Sequence, residues 1–219
     1  LVSFENRIDE SINDYVIALH QAFKKNNFTG FAETVPAYNS LAVFYDLPVV
    51  KKNYEAATTV FDFVKEFTGK LIADINVIPL LQRETIKIPV YYNGEDIEYV
   101  AVQHNLSIEE VIKIHTSKTY RVFMIGFLPG FAYMGKVDER IATPRLSSPR
   151  THVKAGSVGI AGFQTGIYPL HSPGGWQLIG QTPVKIFDKE KNEPCLFKAG
   201  DEIQFISITQ IEFKKINEY

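Results

Sequence analysis

"GSVGIAGFQTGIYPLHSPGGWQLIG", residues 156–180, carries seven glycines and two prolines among short apolar runs. That punctuation leaves room for brief strands and tight turns but not for a helix. The texture extends in both directions from this stretch. From about residue 85 the strand-like runs are "IKIPVYY", "YVAVQ", "TYRVFMIGF", "GSVGIAG", "GIYPL", "WQLIG", "VKIFD" and "DEIQFISIT". One clear helix interrupts them, with Ser107 and Glu110 as a capping box and Val111, Ile112 and His115 following. Many short strands over such a length predict a closed or nearly closed β-barrel.

The first third reads differently. Ile12, Val16, Leu19 and Phe23 recur at helical spacing, with Asp9 or Ser11 to cap the helix and Thr29-Gly30 to end the segment. "NSLAVFYD" (39–46) reads as a strand. Ala57, Val60, Phe61, Val64 and Phe67 form a second amphipathic helix stopped at Gly69, and a short strand is expected within 71–78. The fold class is therefore α+β: a small α/β domain over residues 1–84, then a barrel domain over 85–219. No Pro/Gly-rich linker separates them, so the two are expected to be closely joined.

Bulk properties narrow the functions. Lys+Arg is 23 against Asp+Glu 25, which offers no global charge for nucleic acid or an anionic membrane. Cys195 is alone, so no internal disulfide and no thiolate metal cluster can form. No apolar run approaches the ~18 residues of a membrane span, and none reads as a secretory leader. The expected location is cytoplasmic. "LVSF" at the start reads as part of a strand, so native residues are expected before Leu1.

"GFLPGFAYMGKV" (126–137) places Gly130, Gly135 and Lys136 at the spacing G-x-x-x-x-G-K. A phosphate-binding loop also needs a following helix and a Ser or Thr after the lysine to hold Mg²⁺. Val137 stands at that place, and Pro144 and Pro149 lie downstream. The stretch reads instead as a strand, Arg121 to Phe127, entering a rigid loop fixed by Pro129. Phe127, Phe131 and Tyr133 then form an apolar surface that either caps the barrel's core or meets a partner.

Residues 143–183 concentrate groups suited to a small polar ligand. Arg145, Arg150, His152 and Lys154 supply positive charge, and arginine forks match carboxylates and phosphates. Ser157, Gln164, Thr165, Tyr168, His171 and Ser172 add neutral donors and acceptors. Gly174-Gly175 exposes backbone amides, and Trp176 offers a flat wall. His152 and His171 each read either as a general base or as a structural histidine, while His20 and His115 lie on expected helices as surface or packing residues. No G-x-S-x-G, H-E-x-x-H or Cys-His zinc spacing is present, so the chain has pocket chemistry without a self-contained catalytic set and no metal site of its own.

"GFLPGFAYMG", "TPR…SPRTHVKAGSVGIAGFQTGIYP" and "SPGGWQLIGQTP", with "VPAYNSLAVFYD" and "LSIEEVIKIHTSKTYRVFMIGFLPGF", resemble the blocks of the 5-oxoprolinase B-subunit family. That family also goes by the names allophanate hydrolase subunit 1 and Kip-type sporulation kinase inhibitor, and the resemblance covers nearly the whole chain. Ala132 and Lys136 depart from the proline and glycine of many relatives. The resemblance implies a cyclophilin-like barrel, in a protein that acts with the C and A subunits of 5-oxoprolinase to open 5-oxo-L-proline to L-glutamate. It implies ATP, with Mg²⁺, used by the assembled enzyme, the component that binds the nucleotide being left open. On this reading Arg145, Arg150 and His152 are the catalytic candidates, and Gln164, Thr165, Tyr168, Ser172, Gly174, Gly175 and Trp176 bind substrate. Phe127, Pro129, Phe131 and Tyr133 form the partner interface. The alternatives are a carboxyltransferase component of urea carboxylase, and a regulatory protein that docks on a histidine kinase without catalysis.

Overall fold

A computed structural model of the chain describes residues 1–54, 59–75 and 85–217. The chain divides into two compact units, Leu1–Gln82 and Arg83–Tyr219.

In the first unit, β1 (Val2–Ser3), β2 (Phe31–Pro36) and β3 (Ser40–Tyr45) form an antiparallel sheet in the order β1-β3-β2. Helix α1 (Glu10–Lys25) starts at Asp9, whose carboxylate accepts the backbone N–H groups of Ser11 at 3.0 Å and Ile12 at 3.2 Å. It packs Val16, Leu19 and Phe23 against Leu41 of the sheet. The short α2 (Leu47–Asn53) and the longer α3 (Val60–Asp74) follow.

Three expectations are corrected by the fold of this unit. Helix α1 ends at Lys25, and Thr29-Gly30 instead turns the chain into β2, which the pattern did not announce. Helix α3 does not stop at Gly69, because Thr68 and Leu71 on its inner face are buried and that packing outweighs the ~1 kcal/mol penalty of a helical glycine. The strand expected in 71–78 is helical as far as Asp74. The remainder of that expected strand, and Ala57, lie outside the described residues.

In the second unit, β4 (Thr85–Val90), β5 (Thr119–Ile125), β6 (Ala132–Gly135), β8 (Ser157–Ala161), β9 (Gln164–Ile167), β11 (Gln177–Gln181) and β12 (Glu202–Ser207) make a seven-stranded sheet. Its order is β11-β8-β9-β6-β5-β12-β4, antiparallel except for β12 beside β4. The two edges meet at Tyr91 and Gln181, which exchange both backbone hydrogen bonds at 2.9 Å and nearly close the barrel. A separate pair, β7 (Arg150–Val153) and β10 (Ser172–Gly174), forms an antiparallel arm.

Helices α4 (Ile97–Gln103), α5 (Ile108–Thr116) and α6 (Gln210–Asn217) complete the unit, where one helix was expected. "YVAVQ" belongs to α4 and is not a strand: Ile97, Val100 and Ala101 are buried at helical spacing while Tyr99 and Val102 face out. The capping box of Ser107 and Glu110 forms at the start of α5. "VKIFD" contributes only one bridge, Phe187 with Cys195, since β11 and the Tyr91 segment already fill the sheet's edges.

His115 of α5 is fully buried inside the barrel, so it is the packing residue that its helical position suggested. Thr165 Oγ1 donates to the Gly159 carbonyl at 3.0 Å, so it accepts from His115 Nε2, also at 3.0 Å. His115 Nδ1 is then left to accept from the Tyr92 hydroxyl at 2.8 Å. The hydroxyl of Tyr120 donates to the His115 carbonyl at 3.0 Å, and the imidazole stacks on Phe205. Every polar atom of this chain of bonds is partnered with a neutral ring, and burial lowers the His115 pKa to about 3. The unfolded protein therefore binds one more proton than the folded one between about pH 6.5 and pH 3. This contribution to stability is complete above that window and lost as pH falls through it, at up to about 1.4 kcal/mol per pH unit. Urea unfolding at pH 4 to 7, followed by Trp176 fluorescence, is expected to give a shallower pH slope for His115→Gln than for the wild type. Equal slopes would mean that His115 titrates alike in both states.

Candidate functional site

Alternation along the barrel strands creates a second, smaller core on the sheet's other face. Ala132 and Met134 of β6, Val158 and Ile160 of β8, and Ile179 of β11 point into the barrel. Phe131, Tyr133, Trp176 and Leu178 consequently point the opposite way. There Gly159 and Gly166 are directly paired across β8 and β9. A Cβ on Gly159 would lie 3.0 Å from the Trp176 Cβ, and one on Gly166 would lie 3.2 Å from the indole and 2.8 Å from the Ala132 carbonyl. The indole thus rests on bare backbone. Phe131 stands edge-on to Trp176 and Tyr168, each at 5.3 Å between ring centroids. Val153 of the arm joins the cluster, so Phe131, Tyr168 and Trp176 are all buried.

A polar clamp fastens this layer. The Arg150 guanidinium meets Asp96 at 2.6 Å and Glu95 at 3.2 Å, and donates to the Trp176 carbonyl at 3.3 Å. The other Asp96 oxygen accepts the Leu178 backbone N–H at 2.6 Å. Burial pushes the Tyr168 phenol up, with the Trp176 backbone N–H, which bonds its oxygen, and then the charges of Arg145 and Arg150 pulling it back. Glu95 and Asp96 give no signal in the sequence as partners of Arg150, being more than 50 residues away from it. Asp96 precedes α4, where an acidic residue reads as a cap, yet its carboxylate makes no cap bond.

The expected site residues are therefore divided. Thr165 faces the barrel interior within the His115 network. Tyr168, Gly175 and Trp176 belong to the buried layer, and Gly174 abuts the Tyr168 hydroxyl. Ser172 is buried on β10. His152 and His171 lie exposed on the arm with rings stacked 5.0 Å apart. Gln164 and Tyr133 are half-exposed on the sheet face. Arg145 is exposed, and among the described residues its guanidinium has no ion-pair or hydrogen-bond partner. It is close enough to Tyr133 to pull back a phenol that burial pushes up.

The 126–131 loop joins β5 to β6 as a hairpin. Phe127 has φ 68° and is 62% exposed at its tip, a left-handed conformation that is costly for a bulky side chain. Pro129 is also exposed, whereas Phe131 is core. The G-x-x-x-x-G-K stretch leads into strand β6, where a phosphate loop would start a helix, and Lys136 Nζ sits 5.0 Å over the Phe163 ring. Among the described residues no group of three or more His, Cys, Asp or Glu side chains is gathered as a metal site. No helix among them is long and apolar enough to cross a membrane.

A barrel with this arm and aromatic layer has close relatives. The carboxyltransferase domain family, subdomains C and D, matches residues 1–197, which sets the class. The 5-oxoprolinase B subunit of Bacillus subtilis is 43% identical over 100% of this chain and 92% of its own length. The chain belongs to the 5-oxoprolinase B-subunit family. The crystal structure of TTHA0988 superposes with a TM-score of 0.82 at 33% identity, covering 95% of this chain. This chain spans only 40% of that longer one. More distant is the urea amidolyase of Saccharomyces cerevisiae, 25% identical over 98% of this chain but only 13% of the amidolyase.

The glycine floor can be tested directly, because Trp176 is the sole tryptophan. Gly166→Ala is expected to cost about 1–3 kcal/mol through overpacking, and to raise the acrylamide quenching of Trp176 as the ring is lifted. Wild-type quenching and an unchanged urea midpoint would show that the ring does not depend on the floor.

Proposed function

We propose that this chain is the B component of a multi-subunit, ATP-dependent 5-oxoprolinase of the cytoplasm, which opens 5-oxo-L-proline to L-glutamate with subunits A and C. The observation that carries the site assignment is the contrast between two arginines. Arg150 is neutralised by Asp96 and Glu95, whereas Arg145, beside Tyr133, has no partner for its guanidinium among the described residues. A carboxylate is the natural partner for such a fork, and 5-oxo-L-proline carries one next to its lactam ring. Arg145 would hold that carboxylate, while Gln164 and Tyr133 on the half-exposed sheet face would orient the lactam. Arg150, Thr165 and Trp176 would serve as support for this surface, in place of the catalytic and binding parts that the sequence suggested for them.

Nothing gathered around Arg145 among the described residues forms a nucleophile with an adjacent base, so the remaining chemistry is assigned to the assembly. Opening the lactam breaks one C–N bond and adds water across it, and both the activation and the proton handling need groups from a neighbouring polypeptide. The residues at 130–136 do not fit a nucleotide's phosphates, so ATP is assigned to the assembled enzyme. The exposed, left-handed Phe127 supports a docking role for the hairpin tip, with the C subunit as its partner.

The test is glutamate release from 5-oxo-L-proline with ATP, using this chain alone and then assembled with subunits A and C. The chain alone is expected to release none. Arg145→Ala is expected to lower kcat/KM of the assembly by roughly ten- to a hundredfold, the range for losing a charge-assisted hydrogen-bonded pair. An assembled Arg145→Ala enzyme with wild-type kcat/KM would remove Arg145 from the site.

A further inference from the structure

Arg145 is exposed, yet its backbone is held on both sides. The preceding carbonyl, of Pro144, accepts from Gln177 Nε2 at 2.8 Å, and the following N–H, of Leu146, donates to the Gly175 carbonyl at 2.7 Å. Both anchors come from the turn into β11 and its first residue. Gln177 is 3% exposed, and its Oε1 is buried without a hydrogen-bond partner among the described residues. An unpartnered buried acceptor is costly, and an apolar side chain of the same shape would fill the place without that cost. The glutamine is thus a poor choice for packing and a good one for holding the Pro144 carbonyl.

We infer that Gln177 is a positioning residue for substrate: it fixes the Pro144–Arg145 peptide, so that the Arg145 side chain extends from a backbone already in place before a carboxylate arrives. The inference rests on the proposed role of Arg145 as the carboxylate anchor. Fixing that backbone in advance reduces the ordering that binding would otherwise require, so the effect belongs in binding and not in folding. Asp96 and Arg150 support the same end by holding Leu178 of β11 and Trp176 just before it, but Gln177 is the one that bonds the segment carrying Arg145 through its side chain.

Gln177→Met keeps the length and removes both the Nε2 donor and the unpartnered Oε1. In the assembled enzyme with subunits A and C, it is expected to raise KM for 5-oxo-L-proline about five- to tenfold at nearly unchanged kcat, the signature of lost ground-state binding. Its thermal midpoint is expected to equal or exceed that of the wild type. A double-mutant cycle completes the test: in an Arg145→Ala background, Gln177→Met should add nothing further to KM. Wild-type KM in Gln177→Met, or the same rise with and without Arg145, would overturn the inference while leaving the role of Arg145 intact. An Arg145→Ala enzyme with wild-type KM would remove both. Should Gln177→Met fail to assemble, Gln177→Glu, which keeps the shape but cannot donate while ionised, is read in the same cycle.

Discussion

Trp176 lies across two strands that present no side chains where it touches them, and the architecture outside the barrel follows from that contact. Gly159 and Gly166 let the indole reach the backbone of β8 and β9, and Phe131 and Tyr168 close around its edges. A side chain at either glycine would lift the ring, and Val153, which packs on the same cluster, would follow it. The arm of β7 and β10 is therefore positioned by an absence of side chains beneath it. The barrel itself does not need those glycines, since its interior is filled by the opposite faces of the same strands.

The two faces are nonetheless coupled at Gly159 and Thr165. The carbonyl of Gly159 accepts from the Thr165 hydroxyl, which in turn accepts from the buried His115. A neutral imidazole deep in the barrel thus fixes the backbone of the strand pair on whose outer side Trp176 rests. Hydrogen bonds inside and ring packing outside constrain one short segment of β8 and β9 from both directions. Such a wall steadies Trp176 and with it the neighbouring Gly175 and Gln177, to which the backbone on either side of Arg145 is bonded.

Much of this was legible in the sequence, and the parts that were not share a physical cause. Glycine and proline punctuation announces a barrel because it acts locally, and the Ser107–Glu110 box announces α5 for the same reason. "YVAVQ" misleads because β-branched residues favour strands, while the decision lies with Ile97, Val100 and Ala101 meeting a core that the local sequence does not contain. Gly69 misleads in the same way, as buried neighbours carry α3 through it. At the site, the run from Arg145 to Trp176 was visible as a concentration of polar groups, but its internal order was not. Asp96 sits 54 residues before Arg150, and only the closure of the barrel brings their charges together.

That closure also explains why two similar arginines five residues apart take opposite parts. Arg150 begins β7 and lies beside the segment that zips onto β11, where Asp96 already receives the Leu178 N–H, so the guanidinium completes a part-buried polar junction. Arg145 belongs to a loop whose flanking backbone groups are bonded by Gln177 and Gly175, and among the described residues its side chain makes no ion pair or hydrogen bond. The backbone on both sides of Arg145 is thus fixed, while its guanidinium has no hydrogen-bond or ion-pair partner among the described residues, the combination on which its proposed role as a carboxylate anchor rests. On the proposed reading, a cation carried on a fixed backbone anchors the substrate while the bond-breaking groups come from another surface, and Phe127, held outward in a left-handed conformation at the tip of the β5–β6 hairpin, is the proposed place for such a surface to dock.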